Sequence, residues 1–382
     1  MTSTSCSQIA RDLLARAIAG QPPAELPREL LDDACGNALF GILAEGLADR
    51  FEPALCEVYA DLFAPAIPGA DPARYRRVRV PRAVAFEPRA VFVLSRVTLG
   101  ADVAVTSVLL DAAKRRFPKA RIVFVGPSKN YELFAADPRI AHAAVSYRRG
   151  TLADRLAVRP ALEALFAAPD ALVIDSDSRL TQLGLLPVCP EDRYHLFESR
   201  AYGGTTEATL PQLAAAWAEE TFGVTGSKPY IALAGEPAHR GVMAVSLGVG
   251  ENPAKRIPDP FEENLLALLA ESGAGICIDK GAGGEEAARV ELAVARSGVR
   301  ATFWEGSFAG FAAIVAAARL YVGYDSAGQH VAAAAGVPLV SIFAGFPTAR
   351  MFHRWRPHGN VIRVDTPDSA KVIAQVRRAI AP

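Results

Sequence analysis

From about Val84 onward the chain alternates between short apolar runs and amphipathic segments, and this alternation restricts the fold more than any other property of the sequence. AVFVL (90–94), RIVFVG (121–126) and ALVID (171–175) read as strands, with helices expected over 102–117, 155–167 and 210–222. A second cycle runs through GVMAVSLG (241–248), GICID (275–279), 301–304, YVG (321–323) and VPLVSIF (337–343). Helices are expected between these strands at about 261–271, 285–296, 308–318 and 328–335. Repetition of strand and helix builds parallel sheets covered by helices on both faces. Two cycles imply two similar α/β domains, at 81–226 and 227–366, with a last helix in 367–382 packing back on the first. Open sheets of this class bind ligands at the carboxyl ends of their strands, and a cleft between two of them is the expected active site.

Residues 1–80 read differently. Ile9, Leu13, Leu14 and Ala17, then Leu39, Ile42, Leu43 and Leu47, recur at helical spacing, broken by PPAELP and PAIPGADP, so a small helical extension is expected. It ends in a basic stretch, Arg74, Arg76, Arg77, Arg79 and Arg82, which reads as a solvated linker or as a contact for an anionic acceptor or membrane surface. Over the 382 residues, 41 Lys+Arg balance 41 Asp+Glu, so nothing suggests a nucleic-acid partner. Arg11, Asp12 and Arg16 interrupt any signal-peptide core, and the longest uncharged window, 331–349, contains Pro338 and Pro347 and resembles no membrane span. The five cysteines, Cys6, Cys35, Cys56, Cys189 and Cys277, form no CxxC and read as reduced packing thiols of a cytoplasmic protein.

Three loops carry the candidate chemistry. In GYDSAGQHVAAAAGVP (323–338) a strand ends, Asp325 and Ser326 follow, and Ala327 and Gly328 open a helix whose free N–H groups suit a phosphate. Ser326 is placed to cap that helix, and His330 lies one turn further on the same face. In SLGVGENPAKRIPDP (246–260), Gly248 and Gly250 leave the backbone open and Lys255 supplies positive charge, a combination suited to a diphosphate although no GxxxxGK[ST] is present. In LSRVTLGADVAVTSVLL (94–110), Gly100 bends the chain and Asp102 stands near a helix start, where a carboxylate serves as a general base or as an ordinary helix cap. Glu285 and Glu286, after GAGG, could accept ribose hydroxyls. Asp175 and Asp177 have the spacing to grip a divalent ion through a diphosphate, but Asp175 reads better as a strand-end residue of the acceptor half.

Taken in order, these segments resemble glycosyltransferase family 9, the heptosyltransferase-type enzymes of the GT-B fold, over roughly residues 86–382. Ser95-Arg96-Val97-Thr98-Leu99-Gly100-Ala101-Asp102 is similar to that family's R-x-S-L-G-D run, and Lys114-Arg115-Arg116-Phe117-Pro118 to the string ending its helix. Val173-Ile174-Asp175 through Arg179-Leu180-Thr181, Lys255-Arg256-Ile257-Pro258 and Gly323 through Pro338 match its remaining motifs. The resemblance implies two Rossmann-like domains facing across a cleft and an inverting, metal-independent sugar transfer. The donor is a nucleotide diphosphate sugar, ADP-linked or other, and the acceptor hydroxyl belongs to a saccharide, a lipid-linked glycan or a protein. No separate cofactor is implied. Asp102 would be the base; Gly248, Gly250, Lys255, Glu285, Glu286, Asp325, Ser326, Ala327, Gly328 and His330 would hold the donor; Gly100, Asp175 and Arg179 would lie toward the acceptor. The chain departs from the pattern where Ala101 separates Gly100 from Asp102, and where Tyr324, Ala327 and Ile257 replace Asn, Gly and Trp. A nucleotide-sugar binding protein whose base has drifted, and an epimerase or hydrolase on the same scaffold, are the alternatives.

Overall fold

The computed structural model describes residues 3–250, 252–281 and 283–381, and the chain divides into two compact units. The first comprises residues 1–98, 105–131 and 138–228; the second comprises 99–104, 132–137 and 229–382.

The sheet of the first unit contains β1 (Ala90–Leu94), β2 (Arg121–Gly126), β3 (Ile140–Ala144), β4 (Ala171–Asp175) and β5 (Tyr194–Leu196) in the order β3-β2-β1-β4-β5, all neighbours parallel. Ala90 is level with Arg121 on one side and Ala171 on the other. β1, β2 and β4 are nearly continuous apolar runs because parallel strands inside a covered sheet are buried on both faces. The expected helix over 155–167 is two short ones, Leu152–Leu156 and Arg159–Leu165, with Pro160 in the first turn of the second, where its missing N–H costs nothing.

The helical extension is not a separate module. Its helices α1 (Ser3–Ile18), α2 (Pro53–Phe63) and α3 (Pro72–Val78) contribute Leu13, Leu62, Phe63, Tyr75 and Val78 to the same core as Phe92, Leu94, Val123 and Val173 of the sheet. Short amphipathic helices expose one apolar face and need a partner surface to bury it. Polar bonds finish the seam. Tyr59 donates to the Gln182 carbonyl at 3.1 Å, and Arg179 binds Glu45 at 2.9 Å.

The basic stretch is tied into the first unit by ion pairs and carbonyl contacts, with Arg76 and Arg77 still exposed. Arg76 pairs with Glu57 and Asp61, Arg77 with Glu191, and Arg79 with Glu57. Arg82 donates to the Tyr194 carbonyl at 2.6 Å, and Arg74 lies over the Tyr194 ring while donating to the Gly184 carbonyl at 3.3 Å. The cysteines also differ from expectation. Cys6 in α1 and Cys35 in a following 3-10 turn, with Cα atoms 5.5 Å apart, form a disulfide, while Cys56, Cys189 and Cys277 remain thiols. A pair separated by 29 residues carries no local sequence cue, and its presence removes the cysteine argument for a reducing compartment. No helix among the described residues is long and apolar enough to cross a membrane.

The second unit's sheet contains β6 (Met243–Ser246), β7 (Ile276–Asp279), β8 (Ala301–Trp304), β9 (Leu320–Tyr324), β10 (Leu339–Phe343) and β11 (Asn360–Arg363) in the order β11-β10-β9-β6-β7-β8, again parallel throughout. Counted from β6, this is the doubly wound 3-2-1-4-5-6 arrangement. The last helix, Ser369–Ile380, packs into the core of the second unit. Val372 and Val376 join the core formed by Leu265, Leu269, Val340 and Ile362, and Arg377 pairs with Glu271 at 2.7 Å. Its apolar stripe is satisfied by its own sheet's helices.

Leu47 is fully buried in the shared core of the first unit. Leu47→Ala is therefore expected to cost about 2–5 kcal/mol in urea unfolding and to speed hydrogen exchange in β1 and β4 together. A module that folded by itself would lose its own protection and leave those strands unchanged.

Candidate functional site

In the second unit, β6 and β9 are neighbours whose following chain segments serve opposite halves of the sheet, so a crevice opens beyond their carboxyl ends. Two of the loops singled out from the sequence leave from these strands. The 247–257 loop follows β6, and the Asp325–Ser326 turn follows β9 before helix α4 (Ala327–Ala335) begins.

Asp325 is the hub of this turn. Lys255 Nζ lies 2.7 Å from Asp325 Oδ2 and 3.2 Å from the Asp325 carbonyl. Gln329, one turn along α4 and with no exposed surface, donates its amide to Asp325 Oδ1, lies 3.3 Å from His330 Nε2, and accepts from Ser341 Oγ of β10. An ammonium carries three donors, so Lys255 keeps one for an incoming anion. The loop bearing Lys255 is seated by Gly345, whose φ of +68° and closeness to the Ala254 and Lys255 backbone exclude a side chain, and by Asn252, which donates to the Gly345 carbonyl at 3.3 Å.

Ser326 occupies the cap position of α4 but makes no capping bond with its side chain, contrary to expectation. Its hydroxyl instead meets the Tyr321 hydroxyl at 3.2 Å. Gly328 leaves room for that phenol, since a Cβ there would come within 2.5 Å of the Tyr321 oxygen. Two departures from the family pattern interlock in the interior. The hydroxyl of Tyr324 accepts from the Ile257 N–H at 3.3 Å and donates to Glu262 at 3.1 Å, and Glu262 also receives Arg256 at 3.1 Å and Arg289. Both residues are fully buried, so this pair anchors the Lys255 loop to β9.

The segment 99–104 belongs to this same unit. A Cβ on Gly100 would stand 3.0 Å from Ala327 Cα and 3.0 Å from His330 Cδ2, so the turn before Asp102 sits directly on the start of α4. Asp102 itself has no exposed surface and opens a π-helical stretch, Asp102–Thr106. A π turn holds one more residue than an α turn, which provides a place for the extra Ala101.

The other candidates fall elsewhere. Glu286 lies against Gly248 and Gly281, its Oε1 3.1 Å from where a Gly248 Cβ would be, so it reaches the carboxyl ends of β6 and β7. Glu285 is exposed in the first turn of its helix, and Gly250, with φ of +59°, is exposed with open space around it. Asp175 and Arg179 belong to the first unit. The Asp175 carboxylate is buried and accepts from the Ser178 N–H at 2.7 Å and from the Thr181 and Tyr194 hydroxyls at 2.5 Å; burial pushes its pKa up. Asp177 is bound by Ser199 and Arg200. Neither is free to grip an ion, and no group of three metal-ligating side chains occurs among the described residues. Gln329 was not singled out from the sequence; the cue was its i,i+4 spacing from Asp325 inside a helix of small residues.

Comparison with known proteins matches residues 192–377 to the family described as glycosyltransferase family 9 (heptosyltransferase). Among solved structures, the glycosyl transferase family 9 protein of Veillonella parvula is similar with a TM-score of 0.57 at 15% identity, over 78% of this chain and 92% of that one. The E. coli heptosyltransferase WaaC with ADP gives 0.56 at 19% identity, over 76% and 98%. E. coli ADP-heptose LPS heptosyltransferase II gives 0.53 at 18% identity, over 76% and 98%. No curated protein matches the sequence. These structural likenesses establish a GT-B fold with two parallel-sheet, Rossmann-like domains.

Burial, with the Lys255 charge adding and Asp325 opposing, lowers the His330 pKa to about 4, so the imidazole is neutral at pH 7. An unfolded histidine takes its proton near pH 6.5, so this group's contribution to stability is complete above that pH and is lost as pH falls toward about 4. Between pH 7 and 4 the wild type should lose on the order of 3 kcal/mol more than His330→Asn, measured by urea unfolding. Parallel curves for the two proteins would refute a neutral His330.

Proposed function

We propose that this chain, matched over residues 192–377 by the model of glycosyltransferase family 9, is a member of that family and transfers a heptose from ADP-heptose to an acceptor hydroxyl with inversion at the transferred carbon. The observation that carries this reading is Lys255, held by Asp325 at the start of α4, beside the crevice beyond β6 and β9. A departing diphosphate gathers negative charge in the transition state, and groups fixed in advance around it lower the barrier without having to reorganise. Here those groups are the remaining Lys255 donor, the first N–H groups of α4 and the His330 imidazole. The structures of family relatives include WaaC with ADP and with an ADP-heptose analogue, which supports the choice of donor. Glu286, reaching the ends of β6 and β7, takes the ribose side of the nucleotide.

Asp102 acts in this reading as the base that accepts the proton of the acceptor hydroxyl, while that oxygen attacks the anomeric carbon and the diphosphate leaves. The π turn supports the assignment. An inserted residue in a regular helix would rotate the carboxylate by about 100° (3.6 residues per turn), whereas a wider turn starting at Asp102 absorbs it locally. A second reading is favoured by the complete burial of Asp102: a protein that binds the nucleotide sugar and no longer turns it over.

Lys255→Ala is expected to weaken ADP binding by roughly 10- to 100-fold in calorimetry, the worth of a charge-assisted hydrogen bond. Asp102→Asn should bind ADP like the wild type and release ADP from ADP-heptose at least about 100-fold more slowly across a panel of saccharide, lipid-linked and protein acceptors. Full transfer by Asp102→Asn removes it as the base, and tight donor binding with no ADP release by the wild type favours the binding protein.

A further inference from the structure

Gln329 has no exposed surface, and its amide touches three groups of different hydrogen-bonding character. The Asp325 carboxylate only accepts, being ion-paired with Lys255. The Gln329 nitrogen must therefore face Asp325 Oδ1, and its oxygen must face the Ser341 hydroxyl, which donates. This fixes the amide's orientation from its neighbours alone. The same nitrogen lies 3.3 Å from His330 Nε2. An amide nitrogen offers hydrogens and no acceptor, so His330 Nε2 must supply the lone pair, and the proton of the neutral ring resides on Nδ1.

Turning the ring over would replace Nε2 by Cε1 at Gln329 and forfeit this contact, so the amide itself selects the ring's orientation. The Cδ2 edge is set against Gly100, and Trp355 meets the ring edge-on with centroids 5.8 Å apart. We propose that Gln329 is a positioning residue that locks His330 in the neutral Nδ1–H form, so that the imidazole meets its ligand as a hydrogen-bond donor without carrying a charge. The consequence for the sugar donor, that Nδ1–H binds a diphosphate oxygen while Lys255 supplies the charge, rests on the function proposed above.

The lock is tested on the unliganded full-length chain, labelled with 15N-histidine, by long-range 1H–15N spectra at pH 8, with the His330 signals identified by their loss in His330→Asn. The wild type should show a bare Nε2 and a protonated Nδ1 at His330. Gln329→Met removes the donating amide, and Gln329→Glu replaces it by a carboxylate that accepts; both should move the proton to Nε2, the form neutral imidazole prefers in water. A protonated Nε2 in the wild type overturns the proposal even if neither variant folds, and so does an unchanged tautomer in either folded variant. Calorimetry with ADP separates the donor reading from the lock: Gln329→Met should bind ADP about tenfold more weakly. Wild-type protein that shows the expected tautomer and no ADP binding overturns the donor reading alone.

Discussion

Neighbouring parallel strands whose onward connections leave in opposite directions cannot both have their carboxyl ends roofed by the chain that follows, and the organisation of the second unit depends on this constraint. β6 and β9 are such a pair. The sequence after each must make a turn with exposed backbone polar groups, and this chain fills the two turns with charge: Lys255 from one side and Asp325 from the other. The helix that starts after Asp325 then orders the rest. Its first residues receive the Gly100 turn, its buried Gln329 ties Asp325 to His330 and Ser341, and Tyr321 packs beneath Gly328. Without the strand crossing, these residues would be an ordinary helix start.

Charge is managed differently in the first unit. There the carboxylates and guanidiniums are drawn inward and paired, as with Asp177 and Arg200, both almost wholly buried, or spent on backbone carbonyls, as with Arg82 and Arg193. Such pairs gain little net energy over apolar replacements but are costly to break singly, because the remaining partner is left buried and uncompensated. They fix which segment meets which. Arg179 and Arg77 define the places where the amino-terminal helices meet the loops around β5.

What could be read from the sequence follows from how local each signal is. β1, β2, β4 and β6 lie inside their sheets, so their apolar runs announce them. β3 (IAHAA), β5 (YHL) and β11 (NVIR) were not anticipated, and all three are edge strands, which pair on one side only and tolerate polar residues. The Asp325–Ser326 turn was legible because strand, turn and helix are contiguous, whereas Gln329 gains its role only from Ser341 on the next strand. The five arginines near residue 80 read as one basic run because several of their acceptors, Glu191 and the carbonyls of Gly184 and Tyr194, are more than a hundred positions away. The disulfide, between cysteines 29 residues apart, was hidden because neither cysteine carries a local cue to the other.

The incorporation of the amino-terminal helices into the first core also bears on how the protein is made. Tyr59 waits for Gln182 and Arg77 for Glu191, separations of 123 and 114 residues. At roughly 5–20 residues per second on the ribosome, the apolar faces of α1 to α3 stay uncovered for about 6–25 s after they emerge. That interval is long compared with helix formation and collapse, so the nascent chain presents a sticky, half-built surface for most of the synthesis of its first half. Holdase chaperones that bind such surfaces would meet this protein early, before its sheet can claim them.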